Sequence, residues 1–473
     1  MRAALICVFA GILFATIPFV PESQVYVMVC LMFLCLIGPA WYEWQRGSLD
    51  YFETIHVIGF IYFVFFGMGA VWTLGDPVNI AYDRYLLPYI PQATLYCLLG
   101  YLALLAGYYG PWSGRKTAWQ FREYPRGTLF LFIPGAIGLV GLISEAAWHW
   151  STKLAVKLSA IVSTCSQFAP LYIFAWALAW IMFFSGQATR GQRRLLLFVF
   201  CPATAMLLFL LLNNKSITIS LAGVPLIALW YARRHVPWTT LIVLVLVLVF
   251  VIFPFHNTYR LLDARMSTSQ RVSLTSSIIG DWSYNEYMLR SMITVKQRLS
   301  LINSVAVVIR DVGRWVPYAK GETLFLPTLV FFVPRLLWPD KPMLTFGREF
   351  GQKFRVVRVF DKETAIASSV PGELYWNFDL VGILVGMALW GMAMRFFYRR
   401  YGEAGELNPI RMAVHIALLI NFAHFEGGLA FQTVGLIRTL LIIEGYRWIS
   451  LRMDLVDKRP PGSAATKPIP VAS

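Results

Sequence analysis

The apolar residues of this 473-residue chain come in blocks of membrane-spanning length. A helix crossing the hydrocarbon needs ~20 mostly apolar residues, and its backbone must satisfy its own hydrogen bonds because no water is there to do so. Such blocks lie near 3–20, 25–42, 54–74, 92–110, 127–145, 161–185, 195–212, 216–232, 239–255, 376–397, 409–424 and 428–446. With 58% hydrophobic and 14% charged residues, little polar surface remains for a water-soluble domain. The pattern predicts an all-α polytopic membrane protein with about 12 spans. The first block resembles a signal peptide, but no small-x-small cleavage site follows it, so it is expected to stay as the first span.

Lys and Arg in short loops are retained on the cytoplasmic side. With the N-terminus inside, the inner loops and tails carry nineteen such residues: Arg2, Arg46, Arg115, Lys116, Arg122, Arg126, Arg190, Arg193, Arg194, Arg233, Arg234, Arg395, Arg399, Arg400 and five from Arg447 onward. The short outer loops carry four: Arg84, Lys153, Lys157 and Lys215. Both termini are therefore expected in the cytoplasm. The layout divides into spans 1–9 (1–255), a large outer loop (256–375), spans 10–12 (376–446) and a basic, disordered cytoplasmic tail (447–473). The six cysteines, Cys7, Cys30, Cys35, Cys97, Cys165 and Cys201, all fall in apolar blocks and read as small core residues. No Cys/His metal spacing, Walker motif or dinucleotide glycine motif is present.

The large loop holds 16 Lys and Arg against 10 Asp and Glu, a net charge of +6. Loops of that length translocate largely regardless of charge, so the excess speaks to an anionic partner such as lipid phosphate. Within it Met288, Met292, Val295 and Leu299 recur at helical spacing. The run TLFLPTLVFFVP is too short to cross a bilayer and is followed by RLLWPDKP, with prolines at 327, 334, 339 and 342. The loop is expected to lie back on the membrane as short interfacial or re-entrant helices that roof a cavity.

The string PRLLWPDKP followed by SSVPGELYWNFDLVGILVGMALWG, in a many-spanning chain with one large outer loop, resembles the oligosaccharide repeat unit polymerases, the Wzy-type O-antigen and exopolysaccharide polymerases. The matching positions are Pro334, Arg335, Trp338, Pro339, Lys341 and Pro342, then Gly372, Glu373, Tyr375, Asn377, Phe378 and Gly382. The specific part covers about 50 residues, and at Lys215 this chain has lysine where such polymerases often have arginine. The resemblance implies transfer of a glycan from undecaprenyl diphosphate to a new lipid-linked repeat unit at the periplasmic face of the bacterial inner membrane. Its implied partners are the lipid-linked oligosaccharide, membrane lipids and other polysaccharide export and chain-length proteins, with no nucleic acid.

A departing diphosphate needs positive charge where negative charge develops, which fixed Arg and Lys supply without a metal. The first outer loop is only PESQ, and Asp76 and Asp83 stand too far apart for a D-x-D site, so neither metal nor cofactor is expected. Arg335 and Lys341 are the first candidates for diphosphate contact, the competing reading being interfacial anchors. Lys215, Arg314, Arg348, Arg355 and Arg358 are further candidates, and any basic loop supplies such residues; Lys320 belongs with them. Arg438 lies inside the last span, where a charge is expensive and marks a cavity or a pair. Glu426 is twelve residues away, about 18 Å along a continuous helix, so it is too far to be that partner. Glu373 and His424 are candidate catalytic bases, while Arg411 and His415 read as surface anchors on the inner side. A lipid-linked glycan ligase would share the leaving group and much of the loop chemistry. A transporter or flippase of an anionic substrate would show matching Gly/Pro-interrupted spans, which are not found.

Overall fold

A computed structural model describes residues 22–76, 84–110, 123–150, 159–210, 215–252, 268–331, 346–357, 368–403 and 408–458, with single residues between these stretches. The first expected span, the basic tail beyond 458, and Arg335, Lys341 and Arg358 lie outside the described residues.

The helices are α1 (Ser23–Gln45), α2 (Thr54–Gly75), α3 (Ile90–Tyr109), α4 (Leu129–Trp150), α5 (Ser159–Ser166), α6 (Ala169–Phe184), α7 (Arg190–Leu208), α8 (Lys215–Arg233) and α9 (Trp238–Ile252). Then come α10 (Thr268–Gly280), α11 (Tyr284–Leu299), α12 (Ile302–Asp311), α13 (Glu322–Phe331), α14 (Phe346–Lys353), α15 (Val370–Phe397), α16 (Pro409–Ala423) and α17 (Leu429–Arg452). Among the described residues seven helical spans are long and apolar enough to cross a membrane, or eight if the bent pair α11–α12 forms one. Helices α4, α8, α9 and α16 fall at four further expected spans as shorter apolar helices. Exposed aromatics Trp41, Tyr42, Trp44, Trp238 and Trp448 ring one end, and Tyr85, Tyr284, Trp315 and Phe325 ring the other. Between them α9 leaves Ile242, Val243, Val245 and Leu246 uncovered. Bare aliphatics between two aromatic rings are the surface of a multi-pass membrane protein.

Between helices in lipid, close packing replaces the hydrophobic drive. The most extensively packed pair is α3 with α15. A Cβ on Gly107 would sit 2.0 Å from the Ala388 carbonyl oxygen, and one on Gly391 would sit 2.2 Å from that of Leu104. Each helix therefore offers a glycine where the other's backbone touches it. Helix α6 is a second centre, packing against α4, α8, α16 and α17. A Cβ on Gly138 of α4 would lie 2.1 Å from the Tyr172 nitrogen of α6. The large loop was expected to form interfacial or re-entrant helices; within it α12 follows α11 at a 50° bend and is enclosed by α2, α3 and α15, with Ile302, Asn303, Ser304, Val305, Ala306 and Val308 at 0% exposure. Its polar Asn303 accepts a hydrogen bond from Thr73 Oγ1 at 3.0 Å.

The short connections gather at two ends. Residues 46–53, 123–128, 184–192, 230–234, 395–403, 408–411 and 444–458 are tied together by a two-stranded pairing of Glu123–Pro125 with Val456–Lys458 and by side-chain bonds. This is the basic end. Residues 73–76, 84–92, 300–331, 346–357, 368–378 and 424–430 gather at the opposite, loop end.

Two measurements follow from this packing. Gly391→Ala should lower the melting temperature of the detergent-purified protein, as overpacking typically costs ~1–3 kcal/mol, whereas Gly445→Ala, with nothing within 4 Å, should leave it unchanged or raise it. In a cysteine-depleted background, exposed Glu322→Cys at the loop end and Ser48→Cys at the basic end should differ in labelling by an impermeant thiol reagent on intact cells. Equal labelling would contradict the separation of the two ends.

Candidate functional site

The stretch Ser-Ser-Val-Pro-Gly-Glu-Leu-Tyr-Trp-Asn builds a junction at the loop end. Ser369 adopts φ +64° and caps α15, its Oγ accepting from the Gly372 N–H at 3.3 Å. Pro371 in the first turn suits the fixed φ of a helix start. One turn along, Glu373 is buried and its Oε2 accepts the Ala430 N–H at 3.1 Å, so this carboxylate caps the N-terminus of α17. Carboxylates there are stabilised by unpaired amides and the helix dipole. Gly428 makes the approach possible. It sits at φ +83°, and a Cβ there would lie 2.7 Å from Glu373 Oε2. The Ser369 N–H donates to the Glu426 carbonyl at 3.1 Å, stitching the 424–428 turn to α15.

Asn377 completes the junction. Its Oδ1 accepts from the Gly321 N–H at 2.7 Å, and its Nδ2 donates to Thr323 Oγ1 at 2.7 Å and to the Glu373 carbonyl at 2.8 Å. The Trp376 Nε1–H donates to the Pro317 carbonyl at 3.2 Å. Immediately afterwards α15 breaks at Phe378 and Asp379, the latter at φ +58°. Asp379 restarts the helix, its Oδ1 accepting from the Leu380 N–H at 2.7 Å, while Oδ2 accepts from Tyr318 at 3.2 Å. Tyr375 stacks on Tyr96 with ring centroids 5.7 Å apart.

The roof above is cationic and aromatic. Arg314 is exposed, donates to Tyr89 Oη at 2.6 Å and lies 5.3 Å from that ring's centroid. Arg355, also exposed, lies 5.4 Å from the Trp315 ring, and Lys353 lies 5.3 Å from that of Trp376. Cations so placed keep ligand-accessible charge while covering apolar ring faces. Arg348 is half-buried on α14, Lys320 is exposed at φ +49°, and Trp338 is partly exposed. Lys215 begins α8, whose Arg233 end is basic, so it stands toward the loop end; its side chain lies outside the described part.

Below the junction runs a polar seam between α16 and α17. Asn421 donates to Thr439 Oγ1 at 2.9 Å. Gln432 Oε1 and Arg438 Nε are buried without a hydrogen-bond partner among the described residues. The opposite charge acting on Arg438 comes from Glu145 of α4, a partner the sequence did not suggest. Arg438 also acts on His424, which closes α16 at the loop end. The His424 Nδ1–H donates to the Ile420 carbonyl at 2.7 Å, making Nε2 the acceptor nitrogen. Burial pushes its pKa below the ordinary imidazole range, so the ring is neutral at pH 7. His424, Arg438 and Glu145 thus form one group, while Glu373 is committed to the helix start beside it.

A second polar cluster, at the basic end, was not read from the sequence. Asp50, buried, accepts from Trp230 Nε1 at 2.7 Å, Tyr231 Oη at 3.2 Å and Tyr398 Oη at 3.0 Å. Glu53 pairs with Arg395 at 2.8 Å and accepts from Tyr108 at 2.6 Å. His415, expected as a surface anchor, is instead fully buried, 2.9 Å from Tyr231 Oη. Arg411 is half-buried rather than on the surface. The available signal was Asp50 and Glu53 themselves, acids in a short loop whose neighbouring loops are basic.

Compared with family models, curated proteins and solved structures, the chain matches none.

The capping geometry makes a stability prediction. Glu373→Gln keeps an acceptor for the Ala430 N–H and should cost little, whereas Glu373→Leu should destabilise by ~1–3 kcal/mol through the unpaired amide and lost cap. Equal melting temperatures for the two variants would contradict the role.

Proposed function

We propose that the chain is a membrane-embedded, metal-independent glycosyltransferase that polymerises lipid-linked oligosaccharide repeat units. In this reading twelve spans place both termini in the cytoplasm and the loop end at the periplasmic face of a bacterial inner membrane. Undecaprenyl diphosphate is the leaving group. The observation that carries the reading is the conjunction, at one end of the bundle, of a cation-bearing aromatic roof with a neutral histidine and a buried guanidinium beneath it. A lipid diphosphate offers two negative charges at headgroup depth, and a glycan offers ring faces that pack on aromatic side chains while its hydroxyls bond at their rims.

The proposed step is attack by an acceptor hydroxyl on the anomeric carbon while the bond to diphosphate breaks. His424 Nε2 takes the hydroxyl proton, and negative charge passes to the leaving oxygen, where Arg335 and Lys341 stabilise it together with Arg314, Arg348, Arg355, Arg358 and Lys215. The hydrogen bond from the Ala430 N–H occupies Glu373 Oε2, which favours His424 as the base and keeps Glu373 as the second candidate. Arg438, deep in the seam, suits the anionic end of a bound lipid. Base assistance contributes ~10² to 10⁴ in rate, and each lost charge-stabilising donor costs ~10² to 10³.

Deleting the gene should leave lipid carrier bearing a single repeat unit, while long unligated chains would instead indicate the ligase reaction. Arg335→Gln with Lys341→Gln should abolish polymer at near-normal protein level. Because a depressed pKa keeps His424 neutral until the pH falls below its ordinary value, the acid limb of the rate profile should lie below about pH 6.5. It should vanish, with a ~10² to 10⁴ loss of rate, in His424→Ala. An unchanged profile in that variant removes His424 from the chemistry.

A further inference from the structure

We propose that Glu43, Glu53 and His56, at the basic end and remote from the proposed transfer site, form a binding site for a divalent transition ion of the zinc type. One ligand atom from each of the three residues lies within 4.8 Å of the others. They come from the last turn of α1, the residue that starts α2 and the first turn of α2, so the site joins both sides of the 46–53 connection. The tautomer of His56 is set by its surroundings. Its Nδ1 lies 2.9 Å from the Asp50 carbonyl oxygen, which can only accept, so Nδ1 carries the proton and the neutral ring presents its Nε2 lone pair. That nitrogen faces Glu43 Oε2 at 3.5 Å, and both atoms are buried without a hydrogen-bond partner among the described residues. The His56 side chain is 10% exposed. Two acceptor lone pairs turned toward one another in a buried pocket repel unless a cation stands between them. Tetrahedral bonds of ~2.0–2.1 Å place two ligand atoms about 3.4 Å apart, and the observed separation is 3.5 Å.

The surroundings have the features of an outer shell. A backbone carbonyl orients the histidine, as is usual for a metal-bound imidazole. Glu53 Oε1 is held by Tyr108 at 2.6 Å and by Arg395 at 2.8 Å, which fixes its carboxylate, and Tyr109 donates to Glu43 Oε1 at 3.3 Å. Three carboxyl groups, those of Asp50, Glu53 and Glu43, gather here with Arg395, so a cation entering the pocket meets acidic ligands. An imidazole beside two carboxylates suits Zn²⁺, whereas Mg²⁺ prefers an all-oxygen shell with several waters. The ion's work would be structural: it holds α1 to α2 and, through Glu53, to Tyr108 of α3 and Arg395 of α15.

The test uses the full-length protein, purified in detergent through a non-metal affinity tag, stripped with EDTA and equilibrated with Zn²⁺. Wild type should retain close to one zinc per chain after desalting and melt at a higher temperature than its stripped form. Glu43→Gln, nearly isosteric, and His56→Ala should each retain at least tenfold less zinc and show no zinc-dependent shift, while exposed Glu286→Gln should behave as wild type. Wild type holding less than a tenth of a zinc per chain, with no shift, would overturn the proposal. So would full retention by both Glu43→Gln and His56→Ala. Stripped wild type that ignores zinc but gains stability on mild acidification would instead identify a His56 imidazolium paired with Glu43, and that too overturns it.

Discussion

The backbone contact between α3 and α15 is the constraint on which the other parts depend. In lipid, apolar side chains gain little by leaving the bilayer for a neighbouring helix, so association rests on how closely two helices can approach. Gly107 and Gly391 allow carbonyl oxygens to lie where side chains would otherwise stand. Once α3 and α15 are locked, the polar groups at their ends come into fixed register. At the basic end Tyr108 of α3 and Arg395 of α15 meet on Glu53. At the loop end Tyr96 of α3 stacks on Tyr375 of α15, and the first turns of α15 organise everything above.

That loop-end organisation uses polar groups whose bonds are fully spoken for. Asn377 makes three hydrogen bonds and Glu373 caps a neighbouring helix, so both act as fasteners. Burying such groups without partners would cost several kcal/mol each in a membrane. The break at Phe378 and Asp379 separates this fastener from the apolar part of α15, and Asp379 supplies the restarted helix with its own cap. By contrast, Arg438 and Gln432 retain buried polar atoms without hydrogen-bond partners among the described residues. Those two groups lie in the seam where, in the proposed reading, an anionic lipid would be received.

How much of this was legible follows from which forces are local. Hydropathy located α1, α2, α3, α6, α7, α15 and α17, because length and apolar content alone decide whether a helix can cross. The cationic loops, read from charge alone, are the segments that collect at one end. The GELYWN stretch stood out in sequence, with its glutamate as a candidate base; nothing in the chain order shows that Ala430 presents an amide to it. For α12, ten residues inside the large loop, the sequence allowed an interfacial or a re-entrant helix, and only the enclosure by α2, α3 and α15 makes it part of the core. His415 was misplaced for the same reason, its burial being set by Tyr231, 184 positions away. Glu145, the counter-charge to Arg438, likewise comes from a distant helix.

We propose that one chain, using lipid-linked repeat units as both donor and acceptor, builds polymer at the cationic loop end. Its most direct measurement is reconstitution of the purified protein alone into liposomes containing a single synthetic lipid-linked repeat unit, with products resolved by length. A ladder of polymers with stoichiometric release of undecaprenyl diphosphate is expected. A substrate that binds yet remains monomeric, or that is only moved across the bilayer, would contradict it.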